Sequence, residues 1–290
     1  MHDIFAFTDI HGMYGLYKSI MDYCMEQDPE CTIIFCGDAC DRGPDGYKIM
    51  KELLDNPQVV YLKGNHEDMF CKAAREIKEK FSFQNYDLTH VCKVLNACRS
   101  FDYRYAAIQQ SLGNGGMPTL LDWIADGMPI DFVKRIENLP LTFSTDTMDF
   151  CHAAGVYRTF ETVADAEYEG TTPEEYSVDS LLWSRSAYEY GWKAHRTCVF
   201  GHTPVIYLLQ DLDVGVPDDW EIQPYRYIGE FGEEYGFTGA KIDMDTGAAF
   251  LGYAYVLNCL TMQAQGFQDL DIDNKENSIH EIKKIKVIQF

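Results

Sequence analysis

The chain has 290 residues, of which 46% are hydrophobic, enough for a sizeable core in one large domain or two small ones. Lysine and arginine number 24 against 46 aspartates and glutamates, which gives a formal net charge of −22 at pH 7. This charge argues against a nucleic acid as the main ligand, because binding its phosphate backbone requires clustered basic residues. A phosphorylated protein remains compatible, because its single phosphate can bind at a local metal site.

Cysteine usage and the N-terminal sequence both favour a cytoplasmic protein. The ten cysteines include no CxxC pair, and residues 1–5 lack the basic segment and cleavage site of a signal peptide. No apolar run reaches about 18 residues, so we expect no membrane-spanning helix and no membrane partner. We therefore expect reduced thiols in the cytoplasm.

Strand-like and helical segments alternate through the first eighty residues. In chain order they are residues 4–7 (strand), 13–27 (helix), 31–36 (strand), 45–54 (helix), 59–62 (strand) and 68–80 (helix). This βαβαβα order predicts parallel strands joined by crossover helices.

After residue 80 the predicted secondary structure is first mostly helical and then returns to short strands. Residues 85–138 are predicted to be mostly helical, with a turn at Asn114-Gly115-Gly116. After that, short strand-like runs return at residues 141–144, 149–151, 198–200, 239–244 and 248–255. The sequence shows no internal repeat and no low-complexity linker, which favours one domain over residues 1–290.

Two acidic, aromatic-rich segments and the C-terminal residues are harder to assign. Residues 161–179 and 211–237 are predicted to be surface loops or cap elements, as residues 85–138 could also be. Solvated surface is the default interpretation of the acidic segments, and a preference for basic phosphopeptides is the sharper hypothesis. The chain is polar from residue 268 and then basic and apolar at residues 283–290, which fits a late strand or a loose end.

Four short motifs carry side chains that bind divalent metals. They are Asp9-Ile10-His11, the run from Gly37 to Gly43 (GDACDRG), Gly64-Asn65-His66-Glu67 and Gly201-His202-Thr203. The first three each follow a strand-like run. Ligands of open α/β sheets collect outside the carboxyl ends of the strands, so these three motifs should converge at one sheet edge.

Carboxylate, amide and imidazole groups in these motifs could hold two metal ions. The candidate ligands are Asp9, His11, Asp38, Asn65, His152 and His202. The natural assembly puts Asp38 between the two ions, with Asp9 and His11 on one ion. Asn65 and the later histidines then hold the other. Two ions roughly 3.5–4 Å apart can bind a phosphate, activate water and stabilise in-line displacement.

The sequences TDIHG, GDACDRG, GNHE, CHAAG and GHT together resemble the motifs of the phosphoprotein phosphatase family of calcineurin-like metallophosphoesterases. The resemblance is greatest to the bacterial and phage serine/threonine phosphatase branch and extends from Phe7 to about Leu257. Thr8 replaces a glycine of the family pattern, and Ala153-Ala154 replaces a glycine pair. The resemblance implies an α/β fold with a central β-sandwich of two mixed sheets flanked by helices.

The resemblance also implies roles for individual residues and two divalent metal ions. Because the ligands mix nitrogen and oxygen atoms, we expect manganese to support activity in vitro, with iron or zinc as alternatives. His66 matches a general acid, and Asp41 matches the carboxylate that orients it and raises its pKa. Arg42 and Arg185 match two phosphate clamps. From the residues alone, His152 could instead be a packed core histidine, and Arg185 a surface arginine paired with an acid.

We therefore predict a metal-dependent phosphatase that dephosphorylates phosphoserine and phosphothreonine in proteins or peptides, with metal-activated water as the nucleophile. A dinucleoside tetraphosphate hydrolase is the alternative, because it shares the core motifs. Glu67 favours the protein phosphatases, since the nucleotide branch more often has aspartate there. A binding module on an inactive phosphatase fold is disfavoured, because every ligand position and the acid are present. The sequence does not indicate an oligomeric state.

Overall fold

The computed structural model describes residues 2–83, 87–99, 103–154, 178–185, 192, 194–211, 222–228, 238–273 and 280–290. Within these ranges the strands form two mixed sheets with helices beside them. The predicted α/β fold of two mixed sheets flanked by helices is confirmed. Most of the predicted loop or cap segments 161–179 and 211–237 lies outside the described residues. The single-domain organisation stays a prediction.

The strands, numbered in chain order, are β1 (Ile4–Phe7), β2 (Thr32–Phe35), β3 (Val59–Tyr61), β4 (Thr142–Ser144), β5 (Met148–Cys151), β6 (Thr197–Phe200), β7 (Tyr225–Tyr227), β8 (Ala240–Asp243), β9 (Tyr253–Asn258), β10 (Gln263–Asp269) and β11 (Ile282–Gln289). The first sheet has the order β11-β10-β9-β1-β2-β3, and the second has the order β4-β5-β6-β8-β7. The strands β1, β2 and β3 are parallel, as predicted. So are β5, β6 and β8.

The helices are α1 (Tyr14–Gln27), α2 (Gly46–Asp55), α3 (Asn65–Lys80), α4 (Leu88–Ala97), α5 (Ala106–Gly113), α6 (Met117–Ala125), α7 (Ile130–Glu137), α8 (Val178–Trp183), α9 (Val205–Asp211) and α10 (Ala248–Leu251), with a 3₁₀ turn at Tyr103–Tyr105. The predicted helical character of residues 85–138 is therefore confirmed for the described residues of that range. Among the described residues, no helix is both long and apolar enough to span a bilayer.

Alternate side chains of β1 and β2 point to opposite faces of the first sheet and enter different cores. On one face, Phe5 and Phe35 pack with Leu16 of α1 and Phe70 of α3 in the largest buried apolar cluster. On the other face, Ala6 and Ile34 pack against residues of the second sheet, including Phe150, Val199 and Ile242. The first sheet is thus covered on both faces, which fixes the carboxyl ends of its parallel strands.

The structure differs from the predicted elements in several places. Helix α3 begins at Asn65 and not at residue 68, because the Glu67 carboxylate accepts a hydrogen bond from the N–H of Gly64 and completes the first turn. Residues 248–255 are not one strand: α10 comes first, and Gly252, with a φ of +75°, separates it from β9. Strands β7 and β10 were not predicted, whereas β11 decides the C-terminal alternative in favour of a late strand.

Candidate metal centre

The first two motifs lie side by side at the carboxyl ends of β1 and β2. The N–H of Asp9 donates to the Gly37 carbonyl at 3.0 Å, and the N–H of His11 donates to the Asp38 carbonyl at 3.0 Å. The third motif begins α3, just after β3, and the N–H of His66 donates to Asp38 Oδ1 at 3.0 Å. The three motifs therefore converge at one sheet edge, as predicted.

The two later histidines come from the second sheet. His152 follows β5 and His202 follows β6, and these strands are parallel neighbours, so both histidines lie at the same sheet edge. The N–H of His202 donates to Asp9 Oδ2 at 3.0 Å, and His152 Nε2 lies 3.4 Å from Asp38 Oδ1. The structure thus brings all six candidate ligands into one buried cluster that spans both sheets.

Much of this cluster has a left-handed backbone, which is rare for residues other than glycine. The candidate site residues with φ between +45° and +73° are Asp9, His11, Asp38, Asp41, Arg42 and His202. Such conformations cost free energy and persist only where the surrounding structure enforces them, which is typical of functional sites. No local sequence pattern signals this strain, because none of these positions is a glycine.

Two motif glycines let the chain approach the carboxylates closely. A Cβ atom at Gly64 would collide with Asp38 Oδ1, and a Cβ atom at Gly201 would collide with Asp9 Oδ2. The glycines of GNHE and GHT are therefore explained by close packing against two of the candidate ligands.

Asp38 is shared by two groups of side chains whose ligand atoms lie within 4.8 Å of one another. One group contains His11 and His66, and the other contains His152 and His202. Asp38 Oδ2 lies 3.6 Å from His11 Nε2 and 3.8 Å from His66 Nε2. This position between two groups fits a carboxylate that bridges two cations.

The hydrogen bonds of two histidines direct lone pairs into the cluster. The Nδ1–H of His11 donates to the Cys40 carbonyl and that of His152 donates to the Cys36 carbonyl, both at 2.9 Å. In the neutral rings, Nε2 is then an acceptor. His152 Nε2 faces the Asn65 side-chain oxygen at 2.9 Å. A carbonyl partner on the other ring nitrogen is the usual way in which a metal-binding histidine is oriented.

A cation fits this donor set. Asp9 Oδ1 is buried without a hydrogen-bond partner among the described residues and lies 3.8 Å from His11 Nε2. Lone pairs that converge without hydrogen atoms between them repel one another, and a bound metal ion removes the repulsion. The side chains of the two groups could therefore serve as ligands for two divalent ions.

The protonation states of the three ligand histidines and of Asp38 also suit metal binding. Burial lowers the pKa of His11, His152 and His202 below the usual range, to about 2 for His202. These rings are therefore neutral near pH 7, as ligands must be. Burial by itself raises the pKa of Asp38, but the surrounding histidines outweigh it and hold that pKa below the ordinary value.

His66 differs from the other histidines of the cluster. Its Nδ1 lies 2.8 Å from Asp41 Oδ2, and both side chains are buried. Burial alone would lower the pKa of His66, but the charge of Asp38 and the hydrogen bond to Asp41 raise it. The Asp41 N–H donates to Thr119 Oγ1 at 2.9 Å, which ties this pair to α6. The ring is therefore held in a form that can donate a proton.

The two arginines contact the cluster from different sides. Arg42 Nη1 donates to His11 Nε2 at 2.6 Å, and Arg42 Nη2 lies 3.2 Å from His66 Nε2. A metal ion on His11 Nε2 would compete with this guanidinium for the same lone pair. Arg185 is exposed, and its Nη1 donates to Thr203 Oγ1 at 3.2 Å and weakly to the His202 carbonyl at 3.4 Å.

Three further positions make structural contacts that were not predicted from the sequence. Glu67 is fully buried and accepts hydrogen bonds from the N–H groups of Asp38 and Ala39. Asp245 is also buried; burial is the main cause of the raised pKa of Asp9, and the charge of Asp245 raises that pKa further. The predicted turn at Gly115 is present, and its carbonyl accepts a hydrogen bond from the Arg42 N–H at 3.0 Å. The GNHE and NGG patterns were the available signals for Glu67 and Gly115.

Comparisons with known proteins add the following similarities. A family model described as calcineurin-like phosphoesterase matches residues 2–216. Serine/threonine-protein phosphatase 2 of Escherichia coli (strain K12) is 36% identical over 70 residues, which are 24% of this chain and 32% of that protein. The match therefore spans about a third of the relative's length.

Solved structures resemble the chain more distantly. A crystal structure of a putative diadenosine tetraphosphatase has a TM-score of 0.47 at 13% identity, over 88% of each chain. A protein serine/threonine phosphatase from Saccharomyces cerevisiae has a TM-score of 0.40 at 12% identity, over 100% of this chain and 81% of that one. At these values, neither structure bears on the substrate.

Proposed function

Because the chain belongs to the calcineurin-like phosphoesterase family and has a buried histidine–aspartate metal site, we propose that this metal-dependent phosphoesterase dephosphorylates phosphoserine and phosphothreonine in proteins. The observation that carries the proposal is the His66–Asp41 pair, in which the pKa of His66 is raised. A serine or threonine alkoxide is a poor leaving group and needs a proton. The leaving group of a phosphoanhydride is itself a phosphate, which needs a proton far less.

Members of this family bind two divalent metal ions. We assign Asp9, His11 and Asp38 to one ion, and Asp38, Asn65, His152 and His202 to the other, with manganese as the metal to use in vitro. When bound, such ions act as Lewis acids and lower the pKa of water, which supplies the nucleophile. Asp38 is the shared ligand because it lies between the two groups of histidines.

Charged side chains around the cluster would bind the phosphoryl group and protonate the leaving group. Arg42 and Arg185 hold the oxygens of the phosphoryl group, since a planar guanidinium can donate two hydrogen bonds to it. His66 gives its Nε2 proton to the leaving oxygen, and Asp41 holds the ring through Nδ1. The 36% identity to a bacterial serine/threonine-protein phosphatase, limited to 70 residues, supports a phosphoprotein as the substrate.

Phosphate release from a phosphoserine peptide and from diadenosine tetraphosphate, measured side by side with manganese, tests the proposal. The matched variant is His66→Asn, which should retain the metals and lose roughly 10²- to 10⁴-fold in kcat on the peptide. Metal content measured by mass spectrometry on the same samples separates loss of the acid from loss of the ions.

The outcomes distinguish three functions. Peptide hydrolysis that His66→Asn abolishes supports the protein phosphatase. Hydrolysis of the dinucleotide alone moves the assignment to a dinucleoside tetraphosphate hydrolase, the alternative that uses the same site. Absence of metal after purification with manganese would favour a binding module on an inactive phosphatase fold.

A further inference from the structure

Two consecutive residues of the second motif have a left-handed backbone, and both have proposed roles at the metal centre. Asp41 has a φ of +68°, and Arg42 has a φ of +65°. Neither is a glycine, so each conformation costs free energy that contacts elsewhere in the fold must offset. The contacts that hold these two residues therefore decide where the orienting carboxylate and the phosphate clamp lie.

Both residues are held from the same side by residues 114–119, which we call the α5–α6 corner. The Asp41 N–H donates to Thr119 Oγ1 at 2.9 Å, and the Arg42 N–H donates to the Gly115 carbonyl at 3.0 Å. Thr119 lies in the first turn of α6 and is fully buried. It is 78 residues from Asp41 along the chain, so the corner supports the motif only once the fold has formed.

The carboxylate of Asp41 has few other anchors. Its Oδ2 lies 2.8 Å from His66 Nδ1, whereas its Oδ1 is buried without a hydrogen-bond partner within the described part of the chain. No second hydrogen bond from those residues would hold the carboxylate in place if the backbone of Asp41 moved. The position of this backbone, which Thr119 supports, therefore sets the distance between the carboxylate and the ring of His66.

The α5–α6 corner also packs closely against Arg42. Gly115 has a φ of +90°, and a Cβ atom there would lie 3.0 Å from the Arg42 nitrogen and 3.1 Å from its Cα. Both the backbone conformation and the close approach thus favour glycine at this position. At the far end of the Arg42 side chain, the guanidinium contacts His11 and His66. A shift of the Arg42 backbone would therefore move the clamp relative to the metal centre.

Packing is the alternative explanation for Thr119. A Cβ atom at Gly46 would lie 3.0 Å from Thr119 Oγ1, so the side chain also fills space beside the start of α2. A packing role depends on the shape of the side chain, which valine shares. A positioning role depends on the oxygen atom, which serine retains and valine lacks. These two replacements therefore separate the two explanations.

We propose that Thr119 and Gly115 are positioning residues through which the α5–α6 corner places the acid and the phosphate clamp. Thr119 acts through Asp41 on His66, and Gly115 acts through Arg42. The inference rests on the proposed function and assigns residues that set the geometry of that site without contacting the substrate. Replacing either residue should therefore alter turnover or phosphate binding while the metal ions stay bound.

The variants Thr119→Val and Thr119→Ser, in the manganese-loaded full chain, test the role of Thr119. With a phosphoserine peptide, Thr119→Val should lower kcat roughly 10- to 100-fold, because small displacements of a reacting group are costly. Thr119→Ser should retain most of the wild-type kcat, and manganese content should be equal in all three proteins. In the His66→Asn background, Thr119→Val should cause no further loss. Full activity in Thr119→Val, equal losses in both variants, or a further loss in the His66→Asn background would overturn the inference.

Proton NMR tests the same role without turnover, in the zinc-loaded chain because zinc is diamagnetic. The Nδ1 proton of His66, hydrogen-bonded to Asp41, should give a low-field signal that His66→Asn removes. Thr119→Val should shift or broaden this signal, and Thr119→Ser should preserve it. A signal that Thr119→Val leaves unchanged, or its absence from the wild-type protein, would contradict the role of Thr119.

Gly115→Ala tests the role of Gly115, and Gly127→Ala is the matched control. Gly127 has a φ of +83°, so alanine meets a similar backbone strain there, but its Cβ atom would meet nothing within 4 Å. We expect inorganic phosphate to bind the manganese-loaded Gly115→Ala protein roughly tenfold more weakly than the wild type, because a charge-assisted hydrogen bond is lengthened. Calorimetry should show unchanged binding in Gly127→Ala. Wild-type affinity in Gly115→Ala, or equal weakening in both variants, would overturn the inference.

Failure of the proposed function has a different signature. A wild-type protein that does not release phosphate from a phosphoserine peptide contradicts the serine/threonine phosphatase, while the NMR signal and the phosphate affinity still decide the two positioning roles. A peptide phosphatase in which Thr119→Val is fully active contradicts the present inference alone.

Discussion

Glu67 holds the backbone of Asp38 in place: its Oε2 accepts the Asp38 N–H at 2.9 Å. The same carboxylate accepts the N–H of Ala39 at 2.8 Å, the N–H of Gly64 at 2.8 Å and the hydroxyl of Tyr61 at 2.8 Å. Asp38 has a φ of +63°, so these bonds support a conformation that the residue would not adopt alone. The proposed bridging ligand is thus positioned by a residue of the next motif.

Replacing Glu67 should therefore weaken metal binding although Glu67 is not itself a proposed ligand. In Glu67→Gln the amide nitrogen cannot accept the backbone N–H groups, so at least one buried donor loses its partner. We expect manganese affinity to fall roughly 10- to 100-fold, as measured by competition with a chelator. Glu30→Gln, at an exposed position, is the control. Unchanged affinity in Glu67→Gln would show that the backbone of Asp38 does not need this support.

The proposed acid and its partner should behave as one unit. Asp41→Asn removes the charge that favours the protonated ring of His66, so kcat on a phosphoserine peptide should fall while manganese content stays constant. The double variant Asp41→Asn/His66→Asn should be no slower than His66→Asn alone, because Asp41 acts through the ring. Additive losses in this double-mutant cycle would contradict that relationship.

The close approach of Gly201 to Asp9 predicts a large effect from one methyl group. Gly201→Ala places a Cβ against Asp9 Oδ2, so the carboxylate or the backbone must move. We expect manganese affinity and activity to fall at least tenfold, measured by titration and by phosphate release. Gly113→Ala is the matched control, because a Cβ there meets nothing within 4 Å. A fully active Gly201→Ala enzyme would show that Asp9 tolerates displacement.

Metal should stabilise the folded chain through both groups of ligands. A ligand that binds only the folded state raises its stability in proportion to the logarithm of the ligand concentration relative to Kd. Manganese should therefore raise Tm in the wild-type protein, and His202→Ala should reduce that increase. A control replacement of the surface residue His2, for example His2→Ala, should leave it unchanged. Equal increases in all three proteins would place the stabilising ions elsewhere.

The low pKa of Asp149 predicts that the free energy of unfolding depends on pH, independently of the metal centre. Burial alone would raise its pKa, but hydrogen bonds from Arg196, Ser144 and Trp192 lower it to about 2. The unfolded value is about 3.9, so this contribution is fully present above pH 4 and is lost as the pH falls towards 2. Asp149→Asn should cost roughly 2–4 kcal/mol of unfolding free energy at pH 7.

Urea denaturation at several pH values measures this effect. The difference between wild type and Asp149→Asn should shrink between pH 4 and pH 2. Asp131→Asn is the control, because Asp131 is exposed and pairs with Lys134 within one turn of α7. A difference that stays constant down to pH 2 would contradict the low pKa.

The regular part of the fold was predictable because its signals are local. Apolar runs at β1, β2 and β3 and the helical spacing of α1 and α2 fixed the alternation and hence the parallel pairing. Strand β7 was missed because it is a three-residue strand inside the acidic segment 211–237, which was assigned to a loop or cap element. Residues 248–255 were misassigned because the apolar run continues through Gly252, whose positive φ is a backbone property that hydrophobicity does not report.

The candidate ligands were identified from the sequence, but the residues and backbone conformations that position them were not. Asp9, Asp38 and His66 lie in short motifs whose side chains carry the chemistry directly. Glu67 was used only to separate two related branches, and its contacts to the backbone of Asp38 depend on two loops meeting in space. The left-handed backbone of Asp38 and His202 likewise follows from tertiary packing, which no local pattern encodes.

The proposed ligands come from two sheets, and this has a consequence for how the enzyme is made in the cell. Asp9, Asp38 and Asn65 follow β1, β2 and β3 of the first sheet, which the ribosome produces early, whereas His152 and His202 follow β5 and β6 of the second sheet. A nascent chain that stops before β5 holds four of the six proposed ligands. We therefore expect a growing chain to remain unable to hydrolyse phosphate esters until the strand before His202 has been synthesised and has packed.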